Sequence, residues 1–226
     1  MKIGNLLRKG NILIMTNTEK QENTLVKIYA DEAEATGWFG PEVVFGLSYA
    51  YVQSGQSILD VGIGTGLSSD LFRKAGLIVY GMDHSPQMIE ACRSKGIINL
   101  QLHDLNKQPY PYKSESINHA ICTGVMNFFS DLSPIFIEAT RIIQSKGLFC
   151  FVVGDREEIE PRTILVGEEH THSSEPVTMY LHSPADVNQW MSDYGLELFR
   201  SLAFNVYLDR KQTIKMRARA YLAMKA

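Results

Sequence analysis

Cysteine is scarce in this 226-residue chain: Cys92, Cys122 and Cys150 stand far apart, with no Cys-x-x-Cys pair. That spacing excludes a disulfide framework and a thiolate metal site, and predicts buried free thiols in a reducing compartment. An excess of positive charge is also missing. Lys and Arg number 22 against 25 Asp and Glu, for a net charge of −3. No global basic field therefore exists to hold nucleic acid. Long apolar runs are absent too. The run at 12–15 is too short for a signal segment, and no stretch is long enough to span a bilayer. Internal repeats and low-complexity tracts are lacking. These absences predict a cytoplasmic protein, monomer or homodimer, with neither nucleic-acid nor membrane partners.

What remains is an ordinary globular composition, 45% hydrophobic and 21% charged. Residues 1–23 turn polar and read as a loose tail, within which Met15 is a candidate translation start. Residues 24–226 read as a single domain. Apolar spacing predicts helices at 24–35 and 42–54, forming an N-terminal cap. Strands and helices then alternate: strands at 58–61, 78–82, 100–103, 117–123, 148–153 and 196–202, with helices at 67–75, 86–95, 133–143 and 184–194 between them. That alternation predicts an α/β fold, a doubly wound and mostly parallel sheet with helices on both faces. The polar segment 155–182 breaks the pattern and is expected to be a lid or a small β excursion. A further strand is expected at 218–224.

The most informative stretch is Ser57-Ile-Leu-Asp60-Val-Gly62-Ile-Gly64-Thr-Gly66-Leu67. A buried strand runs into a glycine-rich turn and then a helix, which builds a nucleotide site at a sheet edge. The dinucleotide fingerprint is Gly-x-Gly-x-x-Gly. Here the spacing is Gly-x-Gly-x-Gly, and Leu67 stands where the third glycine of that fingerprint would fall. Asp60, just before the first glycine, repels a pyrophosphate and suits a cationic ligand. S-adenosylmethionine, with a sulfonium and an ammonium group and no phosphate, fits these residues better than NAD does.

These residues resemble motif I of the class I, Rossmann-like S-adenosylmethionine-dependent methyltransferases, particularly those acting on small molecules. The resemblance implies a seven-stranded sheet whose last strand is antiparallel and inserts beside the sixth. It implies binding of the cofactor through Asp60, Gly62, Gly64 and Gly66. Asp83 lies 17 residues after Gly66 at a strand end; its two oxygens suit the ribose diol. His84 and Met88, which follow it, are counted with it. Asp104 and Leu105 match the pair that binds the adenine amino group and packs on its ring. Cys122 and Thr123 fall near the methionine end, and Tyr29 matches a tyrosine that closes over the cofactor. Departures from the family pattern are Asn118, where an Asp is usual, and Ser145 and Lys146, which replace a Pro and a Gly.

The acceptor is less legible, and a small molecule is expected. Asn127 is the polar residue expected to face the methyl group. Trp38 is a further candidate, with core packing as its alternative. Phe128 and Phe129 are expected to pack rather than to touch substrate. His170 and His172, in Glu-Glu-His-Thr-His, and Tyr180 are candidate acceptor contacts, one His being able to act as a general base. Metal binding there and a plain solvated loop are the alternatives, and no metal is expected. In-line methyl transfer gains much of its rate from orientation and desolvation, so no catalytic residue is assigned. Two other functions compete: a non-catalytic regulatory protein that binds S-adenosylmethionine or S-adenosylhomocysteine, and an NAD-dependent Rossmann enzyme, against which Leu67 and Asp60 argue.

Overall fold

The computed structural model describes residues 36–167, 176–208 and 211–226. The expected helix at 24–35, with Tyr29, lies outside the described residues, as do His170 and His172. The chain enters through helix α1 (Gly40–Ser48), extended by a 3-10 turn at Tyr49–Tyr51. Strand β1 (Ser57–Val61), helix α2 (Leu67–Lys74), strand β2 (Ile78–Asp83), helix α3 (Pro86–Ser94) and strand β3 (Asn99–Leu102) follow. Next come β4 (His119–Cys122), α4 (Ser133–Ile142), β5 (Leu148–Asp155), β6 (Thr163–Val166), β7 (Val177–His182), α5 (Pro184–Asp193), β8 (Leu196–Tyr207) and β9 (Lys215–Lys225).

β3, β2, β1, β4 and β5 lie side by side and parallel. β9 runs antiparallel along β5, and β8 antiparallel along β9. These seven strands form the expected sheet, with the antiparallel β9 between the fifth strand and β8. Among the described residues the sheet nevertheless has nine strands. β6 and β7 pair antiparallel, and the end of β7 pairs parallel with Gly154 and Asp155 of β5. The 155–182 segment thus contains the β excursion, a hairpin rooted on the end of β5.

Alternation along the central strands feeds two helical layers. In β5, Phe149, Phe151 and Val153 join Leu59, Val61, Phe136 of α4 and Val187 of α5 in one core. Leu148, Cys150 and Val152 join Ile58, Val44 of α1, Phe72 of α2 and Ile89 of α3 in the other. All eight residues of β5 are buried, as suits a parallel strand covered on both faces. The three cysteines are free and buried.

The hairpin root is fixed by charge. Asp155, 3% exposed, accepts from Arg217 Nε at 3.0 Å and from Arg219 Nε and Nη2 at 3.1 and 3.0 Å. This joins β5 to β9 by a bidentate pair and a third bond. Arg156, 2% exposed, donates to Asp186 Oδ2 at 2.8 Å, and Asp186 also completes the capping box that starts α5 with Ser183.

The departures at Asn118 and Lys146 from the resembled pattern are absorbed locally. Asn118 Oδ1 accepts from both the backbone N–H and the hydroxyl of Ser57 at 2.8 Å, while its amide donates to Gln144. Lys146 adopts a left-handed conformation, φ 62°, in the turn before β5.

Candidate functional site

The glycine loop is built by its neighbours. Beyond β1, the N–H groups of Gly62 and Ile63 both donate to Met82 O at 2.9 Å, which folds the loop over the end of β2. Gly62 has φ 76°, and a Cβ there would lie 2.4 Å from Val125 Cγ2. A side chain is therefore excluded on both counts. Gly66, φ 78°, is the N-cap of α2. From the α3 side, Cys92 Sγ donates to Gly64 O at 3.0 Å and Lys95 Nζ to Thr65 O at 2.7 Å. Burial pushes the Cys92 thiol up to about 12, so it stays a neutral donor at ordinary pH.

Asp83 closes the loop on its open side. Its Oδ2 accepts from Gly64 N–H at 2.9 Å and its Oδ1 from Ser85 N–H at 2.9 Å. Each oxygen retains acceptor capacity, and the residue lines the cleft. Ser85 then caps α3, with Pro86 at the first helical position. Asp104, beyond β3, accepts from the backbone N–H and the side-chain amide of Asn106 at 3.0 Å. Those bonds hold its carboxyl below the usual carboxylate range, so it is an anion at neutral pH.

The β4 side is apolar. Beyond Thr123, whose hydroxyl bonds that of Ser68, the chain runs through Gly124 and Val125 into a 3-10 turn at Met126–Phe128. Phe128 is 48% exposed. Gly62, Gly64, Asp83, Asp104, Thr123, Val125, Phe128 and Phe129 surround a cleft of about 480 Å³, within the usual range for small-molecule sites. His84, Met88 and Leu105 line the same cleft. The loop, both acids and the β4 turn all lie at the C-terminal ends of parallel strands, where open α/β sheets place ligands.

Several expected contacts lie elsewhere. Asp60 sits beneath the loop, 1% exposed. Its Oδ2 accepts from Ser69 of α2 at 2.6 Å, while its Oδ1 has no partner. The pleat explains this: Asp60 shares a strand face with Ile58, which packs in the α2 layer. Burial raises its carboxyl to about 7, against the Ser69 bond and with help from the Asp83 charge, so the free acid is present well into the neutral range. Cys122 is fully buried, its thiol pushed up by burial and then by the Asp60 charge. Gly66 serves the helix start, packed near Ile97 and Cys92. Trp38 packs on Phe204, their ring centroids 6.4 Å apart, and covers Gly40. Asn127 is half-buried and outside the cleft lining. Tyr180 pairs with Thr163 inside the β6–β7 hairpin.

The sequence reading missed Ser85, Asn106, Gly124 and Val125 as lining residues, and treated Phe128 and Phe129 as packing. Position carries the missing signal, since Ser85, Asn106, Gly124 and Val125 lie two to four residues beyond the C-terminal ends of β2, β3 and β4.

A sequence-family model described as a methyltransferase domain matches residues 59–151. The chain is similar to the malonyl-[acyl-carrier protein] O-methyltransferase of Serratia marcescens, 28% identical over 129 residues, which are 55% of this chain and 50% of that protein. It is also similar to the ubiquinone biosynthesis O-methyltransferase of Coxiella burnetii (strain Dugway 5J108-111), 25% identical over 154 residues, 64% of each chain. The matched stretch thus spans half to two thirds of these relatives. Among solved structures, an S-adenosylmethionine-dependent methyltransferase from Methanosarcina mazei has a TM-score of 0.67 at 16% identity, covering 79% of this chain and 96% of its own. That likeness shows a shared fold.

Proposed function

We propose that the chain is a methyltransferase on a Rossmann-like fold, binding S-adenosylmethionine and transferring its methyl group to a small-molecule acceptor. The observation that carries this reading is Asp83. It is fixed by two backbone donors, bridges the glycine loop to α3, and keeps acceptor capacity on both oxygens at the cleft. A carboxylate so held suits a vicinal diol. Asp104 offers an acceptor for an exocyclic amine, and Leu105, 7% exposed, an apolar surface for a ring.

The donor set fits this cofactor and not a dinucleotide. The cleft lining contains two acids and, among the described residues, no Lys or Arg. A pyrophosphate would find no Lys or Arg among the described lining residues, whereas a sulfonium and an ammonium group meet the field of Asp83. The bound cofactor supplies a methyl group already activated by the sulfonium. The chain's own residues then bind and orient: the loop backbone and the two acids fix one partner, and the apolar β4 turn excludes water beside it. Nothing in this division requires a strong general base.

A small acceptor agrees with the net charge of −3 and with the relative named for ubiquinone biosynthesis, while the other relative is named for a malonyl group borne by an acyl-carrier protein. Among the described residues, no helix is long and apolar enough to cross a membrane. We take the protein to act in the cytoplasm, as a monomer or homodimer, without nucleic acid.

The test is incubation with methyl-tritiated S-adenosylmethionine and a panel of phenols, amines and carboxylic acids. Label recovered in a small-molecule product is the expected result. Saturable cofactor binding with no transfer to any acceptor would contradict the enzyme and favour the regulatory alternative.

A further inference from the structure

The cleft is polarised across the sheet. Asp83 ends β2 and Asp104 follows β3, while Thr123, Val125, Phe128 and Phe129 follow β4. The strand order β3-β2-β1-β4 puts β1 and its glycine loop between the two groups. The C-terminal ends of β2 and β4 are thus about 10 Å apart, two strand spacings. Both acids lie at one end of the cleft, and the other end presents apolar side chains with no charged partner among the described lining residues.

That apolar end is rigidly built. Phe128 N–H donates to Val125 O at 3.0 Å and Phe129 N–H to Met126 O at 3.1 Å, which closes the turn. Met126 is fully buried below it. Behind it sits His182 of β7, 3% exposed, with its ring against the backbone of Met126 and Phe129. His182 meets Trp190 edge-on at 5.3 Å, and Trp190 stacks on Phe136 of α4 at 6.2 Å. The turn is therefore backed by buried aromatic packing, yet Phe128 itself is 48% exposed. Phe128 and Phe129 thus stand on a pre-organised support and line the cleft together.

Resting on the function proposed above, we propose that Phe128 and Phe129 form the acceptor wall and that the acceptor is an uncharged aromatic ring compound. A flat ring gains the most from an adjacent ring face or edge. Among the described lining residues an anionic acceptor would find no Lys or Arg to pair with, and two carboxylates at the far end. A cationic acceptor would leave its charge unpaired against the apolar wall.

The test uses β-naphthol as an uncharged aromatic probe. Decahydro-β-naphthol serves as its saturated counterpart and β-naphthyl phosphate as its anionic one. Each is titrated calorimetrically into the full chain, with and without saturating S-adenosylhomocysteine, for the wild type, Phe128→Leu and Phe128→Ala. S-adenosylhomocysteine alone is titrated in parallel. The expected order of affinity is naphthol above decahydronaphthol above naphthyl phosphate. Phe128→Ala should weaken naphthol about fivefold more than it weakens S-adenosylhomocysteine, with Phe128→Leu between. Naphthol affinity equal in all three proteins, or naphthyl phosphate binding tightest, would overturn the proposal. Failure of S-adenosylhomocysteine to bind would instead overturn the function on which it rests, and the titrations without it would still decide whether the wall takes an aromatic ring.

Discussion

At the residue scale, Asp60 and Asp83, both expected at the cofactor, take different places. Asp83 faces the cleft and Asp60 lies under it, two carboxyls on neighbouring parallel strands. Asp60 carries a pH signature. Its carboxyl titrates near 3.8 when unperturbed and at about 7 in the fold, chiefly through burial. The folded state thus holds a proton that the unfolded chain has released, so stability from this group falls as pH climbs from about 4 to about 7 and is flat above. Asp60→Asn removes the titration. Its melting temperature relative to the wild type should rise between pH 5 and pH 8 by thermal unfolding; a constant difference across that range would contradict a buried acid with a raised pKa.

How legible these residues were depends on what fixes them. The glycine spacing and the acid at the end of β2 are set within a few residues, so Asp83, Gly62, Gly64, Asp104 and Leu105 were readable and all reach the cleft. Asp60 was read as facing the ligand, although strand alternation with Leu59 and Val61 already implies the opposite face. Phe128 and Phe129 were read as packing because aromatic residues in a sequence signal burial first. Only the exposed turn after β4 shows what they face.

At the scale of elements, most of the central strands and helices were legible from apolar period and caps. Ser85-Pro86 and Ser183-Pro184 start α3 and α5 where the capping rule places them. The β6–β7 hairpin was visible only as a break in pattern. β6 has four residues, of which only Val166 is buried, so it offers no alternation to read. β8 also runs on to Tyr207, past the expected 202, because its partner β9 extends equally far.

One strained turn yields a prediction. Lys146 has φ 62° in the turn before β5, a conformation that costs a non-glycine residue about 1–2 kcal/mol. Lys146→Gly should relieve part of that strain, offset by the greater flexibility of the unfolded chain. A net gain of about 1 kcal/mol, or about 2–4 °C in melting temperature, is expected for a chain of this size. A loss of stability in the same thermal scan would show that the Lys146 side chain contributes more than its backbone costs.

For the whole molecule, the sheet is a scaffold whose C-terminal edge collects every group assigned to the cleft, and the β5 end is where its parts are joined. Asp155 links β5 to β9 through Arg217 and Arg219, while Arg156 links the hairpin root to α5 through Asp186. Asp155→Ala leaves two arginines without that partner. Their side chains are 33% and 26% exposed, so water compensates in part, and Arg217 keeps Glu160 at 2.6 Å. The expected cost is about 2 kcal/mol, below the usual cost of breaking a fully buried pair. Chemical denaturation measures it directly; a cost near zero would mean that strand pairing alone holds β9 in place.

The central claim is that Asp83 and the glycine loop bind S-adenosylmethionine. Calorimetric titration of the purified protein with S-adenosylmethionine, S-adenosylhomocysteine and NAD, repeated with Asp83→Ala, tests it most directly. The account predicts binding of both adenosyl ligands and none of NAD, with Asp83→Ala weakening both by about tenfold or more, as loss of hydrogen bonds to a charged group requires. Binding of NAD alone, or adenosyl-ligand binding unchanged by Asp83→Ala, would contradict it.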